Sequence, residues 1–146
     1  MSGASREHNL VALNVSSDLH GQLSDRPCEV YQADMRVRVN PTGLYTYPDV
    51  SVVCGEPQFE DSEVDTLLNP NVLFEVLSES TEDYDRGTKF EQYRQIRSLT
   101  DYVLIAQEKV HVEHFHRQLD GRWILWETNN LDAVLQLPSI HCQLKL

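Results

Sequence analysis

Positive charge is scarce in this sequence: 12 Lys and Arg stand against 23 Asp and Glu, a formal net charge of −11 over 146 residues. Proteins that coat nucleic acid without regard to sequence depend on Lys and Arg to displace counterions from phosphates, so this balance counts against that class. It leaves open a small basic site, or one whose carboxylates carry a metal. Cysteine is also rare. Cys28, Cys54 and Cys142 are odd in number, widely spaced and form no CxxC pair, which points to reduced, semi-buried thiols. No apolar run approaches the roughly 18 residues of a membrane span, and the N-terminus lacks the hydrophobic core of a signal peptide. The expectation is a soluble cytoplasmic protein without a membrane partner. Internal repeats and low-complexity segments are absent. The length suits one domain, residues 1–146, burying roughly two-thirds of its unfolded surface. An apolar fraction of 40%, with two Trp, six Tyr and four Phe, can fill a core.

The elements that are present alternate in type. Between Ser5 and His20, Val11, Ala12, Val15 and Leu19 form a helical stripe, with His8 one turn ahead. "CEVYQADMRVRV" (28–39) alternates as a strand, and "NPTG" (40–43) has turn chemistry. "YPDVSVVC" (47–54) is a strand entered through Pro48, and "GEPQFEDSEVDT" (55–66) is a polar loop. An apolar strand follows over 72–78. Ser, Thr, Glu and Asp over 80–83 suit a helix start, and the pattern predicts a helix over 83–97 despite Gly87. "DYVLIA" (101–106) is a second buried strand, 110–127 reads as a hairpin turned by "LDG", and a last strand lies over 140–146. This order predicts an α/β or α+β fold: one mixed sheet flanked by helices. The helix between the two apolar strands implies a crossover joining parallel neighbours.

"NPNVLFEVLSES" (69–80) places one carboxylate, Glu75, within an apolar strand, with Leu73 and Leu77 on its face. An ionised carboxylate there loses several kcal/mol unless it is paired or binds a cation. Asp49 begins another strand. Two carboxylates on neighbouring strands can hold a divalent cation, with a backbone carbonyl and waters completing the octahedron. Chemistry on a phosphate also calls for a positive group. At 100° per residue, Lys89 shares a helix face with Tyr93 and Ile96. Periodicity leaves open an exposed Asp85–Lys89 pair worth a few tenths of a kcal/mol.

"PD" at 48–49, "FEVLSEST" at 74–81, "DYDRGTKFEQYRQI" and "DYVLI", in that order, resemble the Uma2 family of endonucleases within the PD-(D/E)xK nuclease-like superfamily. The resemblance runs from about Ser5 to about Glu127. It implies a restriction-endonuclease-like core, a central mixed sheet flanked by helices, carrying a phosphodiester-cleaving site that uses Mg²⁺ or Mn²⁺. On the motif, Asp49 and Glu75 match the two acids, and Asp49, Glu75 and the Val76 backbone carbonyl would hold the metal. The lysine two positions after the second acid is missing, since Leu77 stands there, and Lys89 is its substitute, reaching the same point on a long flexible stem. Relatives often carry a segment before the first helix that completes the site, and here the chain opens almost directly on "SREHNLV".

Arg86, Lys89, Arg94 and Arg97 form the local basic cluster, and Arg86 or Arg94 could meet a phosphate; surface solvation balanced by Asp83, Asp85 and Glu91 explains them equally well. His8 could approach the site, although a hydrogen-bonded core histidine is the commoner fate. His114 and His116 share one strand face and could bind a transition metal, but two histidines without a cysteine favour a solvated hairpin. Trp123 and Trp126, three apart in a strand, face opposite ways, one packed and one at an edge. The functional expectation is a metal-dependent nuclease acting on nucleic acid, DNA foremost, as a homodimer built on the apolar "RWILW" edge. The alternative is a catalytically inactive nuclease-like fold serving as a partner-binding or assembly module.

Overall fold

The computed structural model describes residues 5–60, 65–78 and 80–145. Helix α1 (Arg6–Leu23) is capped by Ser5, whose hydroxyl accepts the His8 N–H at 3.1 Å. Then follow β1 (Cys28–Gln32), β2 (Arg36–Val39), β3 (Leu44–Thr46), β4 (Val50–Cys54), β5 (Thr66–Leu67) and β6 (Val72–Leu77). Two short helices, α2 (Glu82–Arg86) and α3 (Thr88–Tyr93), lead to β7 (Asp101–Ala106), β8 (Val112–Arg117), β9 (Trp123–Thr128) and β10 (Val134–Leu137). A 3₁₀ turn, Pro138–Ile140, precedes β11 (Cys142–Lys145).

The central sheet has six strands in the order β1-β4-β6-β7-β8-β9. Only β6 and β7 run parallel within it, joined through α2 and α3 as the crossover pattern required. The sheet's two faces are covered differently. Val72, Phe74, Val103 and Val112 pack under α1 and the β10–β11 hairpin, through Val15, Leu19, Leu135 and Leu144. Leu73, Leu77, Tyr102 and Leu104 pack against Phe90, Tyr93 and Ile96 and against Val37, Val39 and Leu67 of a small sheet ordered β3-β2-β5. Side chains alternate across a strand, so β6 and β7 supply both cores. Each fully buried Leu or Phe contributes about 2 kcal/mol, which explains why these two strands are apolar almost throughout.

The central mixed sheet flanked by helices is present as expected, two smaller sheets accompany it, and the strand expected over 28–39 is two. The chain turns after Gln32, whose carbonyl accepts the Met35 N–H at 3.1 Å, and β2 leaves for the small sheet. The helix expected over 83–97 breaks at Gly87 (φ −99°, ψ −91°), and after Tyr93 the chain continues only in tight turns. A Cβ at Gly87 would sit 3.2 Å from the Asp83 carbonyl oxygen, so this close approach favours glycine. Strands β3 and β10 were not foreseen. The cysteine expectation is also corrected: Cys28 and Cys54 face each other across the antiparallel β1–β4 register, 4.0 Å apart at Cα, and form a disulfide, leaving Cys142 free and buried. Residues 61–64 of the expected polar loop and the final residue of the expected last strand lie outside the described residues. Among the described residues, no helix is long and apolar enough to cross a membrane.

Candidate active site

Register brings the two strand acids together. Val50 of β4 pairs with Phe74 of β6, so Asp49, one residue before β4, comes alongside Glu75 and Val76. Its Oδ2 accepts the Val76 N–H at 2.7 Å. A residue in an extended strand directs its N–H and C=O to the same side, so the Val76 carbonyl opens toward Asp49 as well. The N-terminal turn of α1 arrives from the other side and sets His8 Nε2 3.1 Å from Asp49 Oδ1. Gln107 helps to place that turn, linking the Ser5 hydroxyl to the Leu77 carbonyl.

The break at Gly87 turns α3 so that Lys89 points inward. Its Nζ lies 2.9 Å from Glu75 Oε2 and 3.3 Å from Asp85 Oδ1. Tyr93, one turn further on, donates its hydroxyl to the same Glu75 oxygen at 2.9 Å and meets the Thr46 hydroxyl at 3.1 Å. Both contacts of the Glu75 carboxylate thus fall on Oε2. Leu77, where the superfamily motif carries its lysine, is packed into the core beside Phe90 and Leu104.

Burial raises the Glu75 pKa from 4.5 to about 8; Lys89 works against the rise, while Asp49 and Asp85 add to it. Asp85 is raised for the same first reason, burial, with Lys89 opposing. Burial disfavours the Lys89 ammonium, but the Glu75 and Asp85 carboxylates outweigh it and hold the Lys89 pKa above its ordinary value. Lys89 is therefore a fixed cation at neutral pH. The cluster holds three carboxylates, Asp49, Glu75 and Asp85, against one ammonium, with His8 alongside.

The structure thus gathers Asp49, Glu75, Val76, Lys89 and His8 into one place. His8 is not simply a core histidine, since one ring nitrogen meets Asp49 while Nδ1 is buried without a hydrogen-bond partner among the described residues. Arg86 and Arg94 stand apart. Arg86 is taken up by Glu82 and by Glu113 at 2.7 Å, and Arg94 stacks 4.8 Å over the Phe90 ring. Sequence reasoning cast Asp85 only as a surface partner and Tyr93 only as packing. A signal existed for Asp85: a residue four before an inward lysine is only 40° away on the helix and must turn inward with it. A cavity of about 470 Å³ among Val11, Val15, Ile105 and Leu135 lies elsewhere, whereas one of about 330 Å³ opens against His8 and Asp49.

A central mixed sheet flanked by helices is an architecture that this chain shares with a solved structure. That structure, described as "a putative nuclease belonging to DUF820" from Anabaena variabilis, superimposes with a TM-score of 0.77 at 15% identity, over 94% of this chain and 75% of that one. The two chains thus share one fold. The chain belongs to the Uma2 family, described as "Putative restriction endonuclease", whose model matches residues 1–146. Two uncharacterized proteins of Synechocystis sp. are similar to it: sll1609, 37% identical over 136 residues (93% of this chain, 77% of that one), and slr1290, 34% identical over 140 residues (96% and 72%).

Proposed function

We propose that this chain is a Mg²⁺-dependent nuclease that hydrolyses phosphodiester bonds, with DNA as its substrate and Mn²⁺ as an acceptable substitute. The observation that carries the reading is the charge of the cluster. With all three acids ionised, Lys89 offsets one charge and two remain, which is the deficit a divalent cation balances. The donors suit a hard cation: Asp49, Glu75 through Oε1, and the Val76 carbonyl would hold it. When bound, it supplies Lewis acidity to a phosphoryl oxygen and lowers the pKa of an attacking water.

The chain's own groups do the positioning. Tyr93, anchored on Thr46, fixes the Glu75 carboxylate, and the Val76 N–H and His8 fix Asp49. Lys89, kept protonated, acts as a cation that stabilises charge developing on the phosphate rather than as a base. The scarcity of other basic groups is consistent with a site in which metal and Lys89 supply most of the positive charge. A homodimer through β9 belongs to the same proposal: Ile124, Leu125 and Trp126 are exposed on this edge strand, and pairing there would cover them.

The test is cleavage of single- and double-stranded DNA and RNA, with and without Mg²⁺, by wild type and Asp49→Ala in parallel. Metal-dependent cleavage of DNA, lost in the variant, is the expected result. Folded wild type that binds Mg²⁺ and cuts nothing would favour the second reading, a non-catalytic assembly module, for which Leu77 in the lysine position is the supporting observation.

A further inference from the structure

The far end of the sheet carries a second polar cluster. Asp101 begins β7 and is completely buried, at 0% exposure. One of its oxygens, Oδ2, lies 2.5 Å from His114 Nε2 and 2.9 Å from His116 Nδ1, both on β8. The other, Oδ1, accepts hydrogen bonds from the Ser139 and Thr100 hydroxyls, each at 2.6 Å. The solvated hairpin expected for the two histidines is thus corrected: the β7–β8 register sets His116 opposite Asp101 and His114 opposite Val103, turning both imidazoles onto the carboxylate.

The cluster is separate from the Glu75 site. In the parallel register, Asp101 pairs with Val72 and Glu75 with Leu104, three residues or about 10 Å farther along the strands. Asp101 alternates with Tyr102 and so shares the face of Val103, under α1, whereas Glu75 lies on the face of Leu73 and Leu77.

We propose that Asp101, His114 and His116 bind a divalent cation of the zinc class. The three donor atoms lie within 4.8 Å of one another, and ligands at about 2.0–2.2 Å around a tetrahedral Zn²⁺ are about 3.4 Å apart, so the 2.5 and 2.9 Å contacts of Asp101 would open by about 1 Å or less to admit the ion. Two imidazoles and one carboxylate suit Zn²⁺, Co²⁺ or Ni²⁺ rather than Mg²⁺, which prefers oxygen. The Ser139 and Thr100 hydroxyls orient the carboxylate from behind, as outer partners of ligating carboxylates do. Among the described residues no Lys or Arg pairs with Asp101, so a cation between the rings would balance a buried charge that other groups leave to the imidazoles. The His114 side chain is 8% exposed and that of His116 is 34% exposed, so the site opens beside His116, where water would complete the coordination. Its role is to fasten β7, β8 and the Pro138–Ile140 turn together.

Tag-free protein equilibrated with Co²⁺ or Zn²⁺ in excess Mg²⁺ tests this by metal content per chain and by the visible spectrum of Co²⁺. Wild type and Asp49→Asn should each retain one Co²⁺ with the same spectrum. His114→Ala and the milder His116→Gln should each weaken binding by at least about tenfold, since removing even an outer partner costs that much. Absence of a bound ion in folded wild type would overturn the proposal. So would affinity unchanged in His116→Gln, or an ion lost in Asp49→Asn, which would place it at the Glu75 site.

Discussion

Replacing Glu75 with Gln should stabilise the metal-free protein, by an amount that grows with pH. A carboxyl in the unfolded chain ionises near 4.5, but folded Glu75 ionises only near 8, because burial disfavours its charge. Between these values the folded state holds a proton that the unfolded state has released, so stability falls as pH rises, by about 1.4 kcal/mol per unit. This is the reverse of a salt-bridged acid, whose lowered pKa makes stability rise with pH. From pH 4.5 to 7 the loss reaches about 3 kcal/mol, and by pH 8 about 4 kcal/mol, an upper limit because Lys89 can move with Glu75. Gln resembles the protonated acid, keeps an oxygen for the Tyr93 hydroxyl, and has no proton to lose. Urea unfolding in EDTA, followed for both proteins from about pH 5 to about pH 8, isolates the effect, because the histidines are common to both and cancel in the difference. Adding Mg²⁺ should flatten the wild-type curve, since the cation favours ionised Glu75, and should leave Glu75→Gln nearly unchanged. Parallel curves without metal would refute the reasoning: Glu75 would then be an ordinary ion-pair partner of Lys89 at neutral pH.

Other substitutions separate charge from packing. Lys89→Ala should lower cleavage by about 10²-fold or more and, by leaving Asp85 buried without its ammonium, cost about 3 kcal/mol in urea unfolding. Lys89→Arg should recover the stability but not the full rate, because the planar guanidinium presents its donors differently; equal rates in all three proteins would exclude Lys89 from catalysis. Tyr93→Phe should cost about 1–2 kcal/mol by removing a buried donor to Glu75, read from the urea midpoint. Reduction of the Cys28–Cys54 disulfide, separated by 26 residues, should lower stability by about 3 kcal/mol, and thiol counting before reduction should find Cys142 as the one free cysteine. Sedimentation at micromolar concentration should show a dimer that Trp126→Lys converts to monomer; a monomeric wild type would remove β9 as an interface.

The parts of the fold that were legible in the sequence are those where one physical signal dominates. Five apolar residues around Glu75 and the run "DYVLIA" can only be strands buried on both faces, and they form β6 and β7 as a parallel pair. The stripe Val11, Val15 and Leu19 likewise gave α1. Failures came where pairing partners decide the outcome. "CEVYQADMRVRV" alternates well enough to read as one strand, with a single slip at Val30–Tyr31, yet its first half pairs with β4 and its second with β3 and β5. The disulfide was hidden for the same reason, because it exists only through the β1–β4 register.

The candidate site divides along the same line. Glu75 and Asp49 were legible because a charge in an apolar strand and a strand-opening Pro-Asp are local facts. Lys89 was legible in direction, from its helical phase with Tyr93 and Ile96. What was not legible is how many acids share that lysine. Asp85 entered only as the partner in the alternative of an exposed Asp85–Lys89 pair. The turn at Gly87 instead packs α2 onto the sheet, where the Tyr102 hydroxyl donates to the Asp85 carbonyl at 3.0 Å. The burial of Asp85 changes the electrostatics of the cluster, since an exposed Asp85 would leave Asp49, Glu75 and Lys89 only one negative charge in excess with both acids ionised. With Asp85 inside, the excess becomes two once Glu75 gives up its proton, the charge that a bound divalent cation would balance.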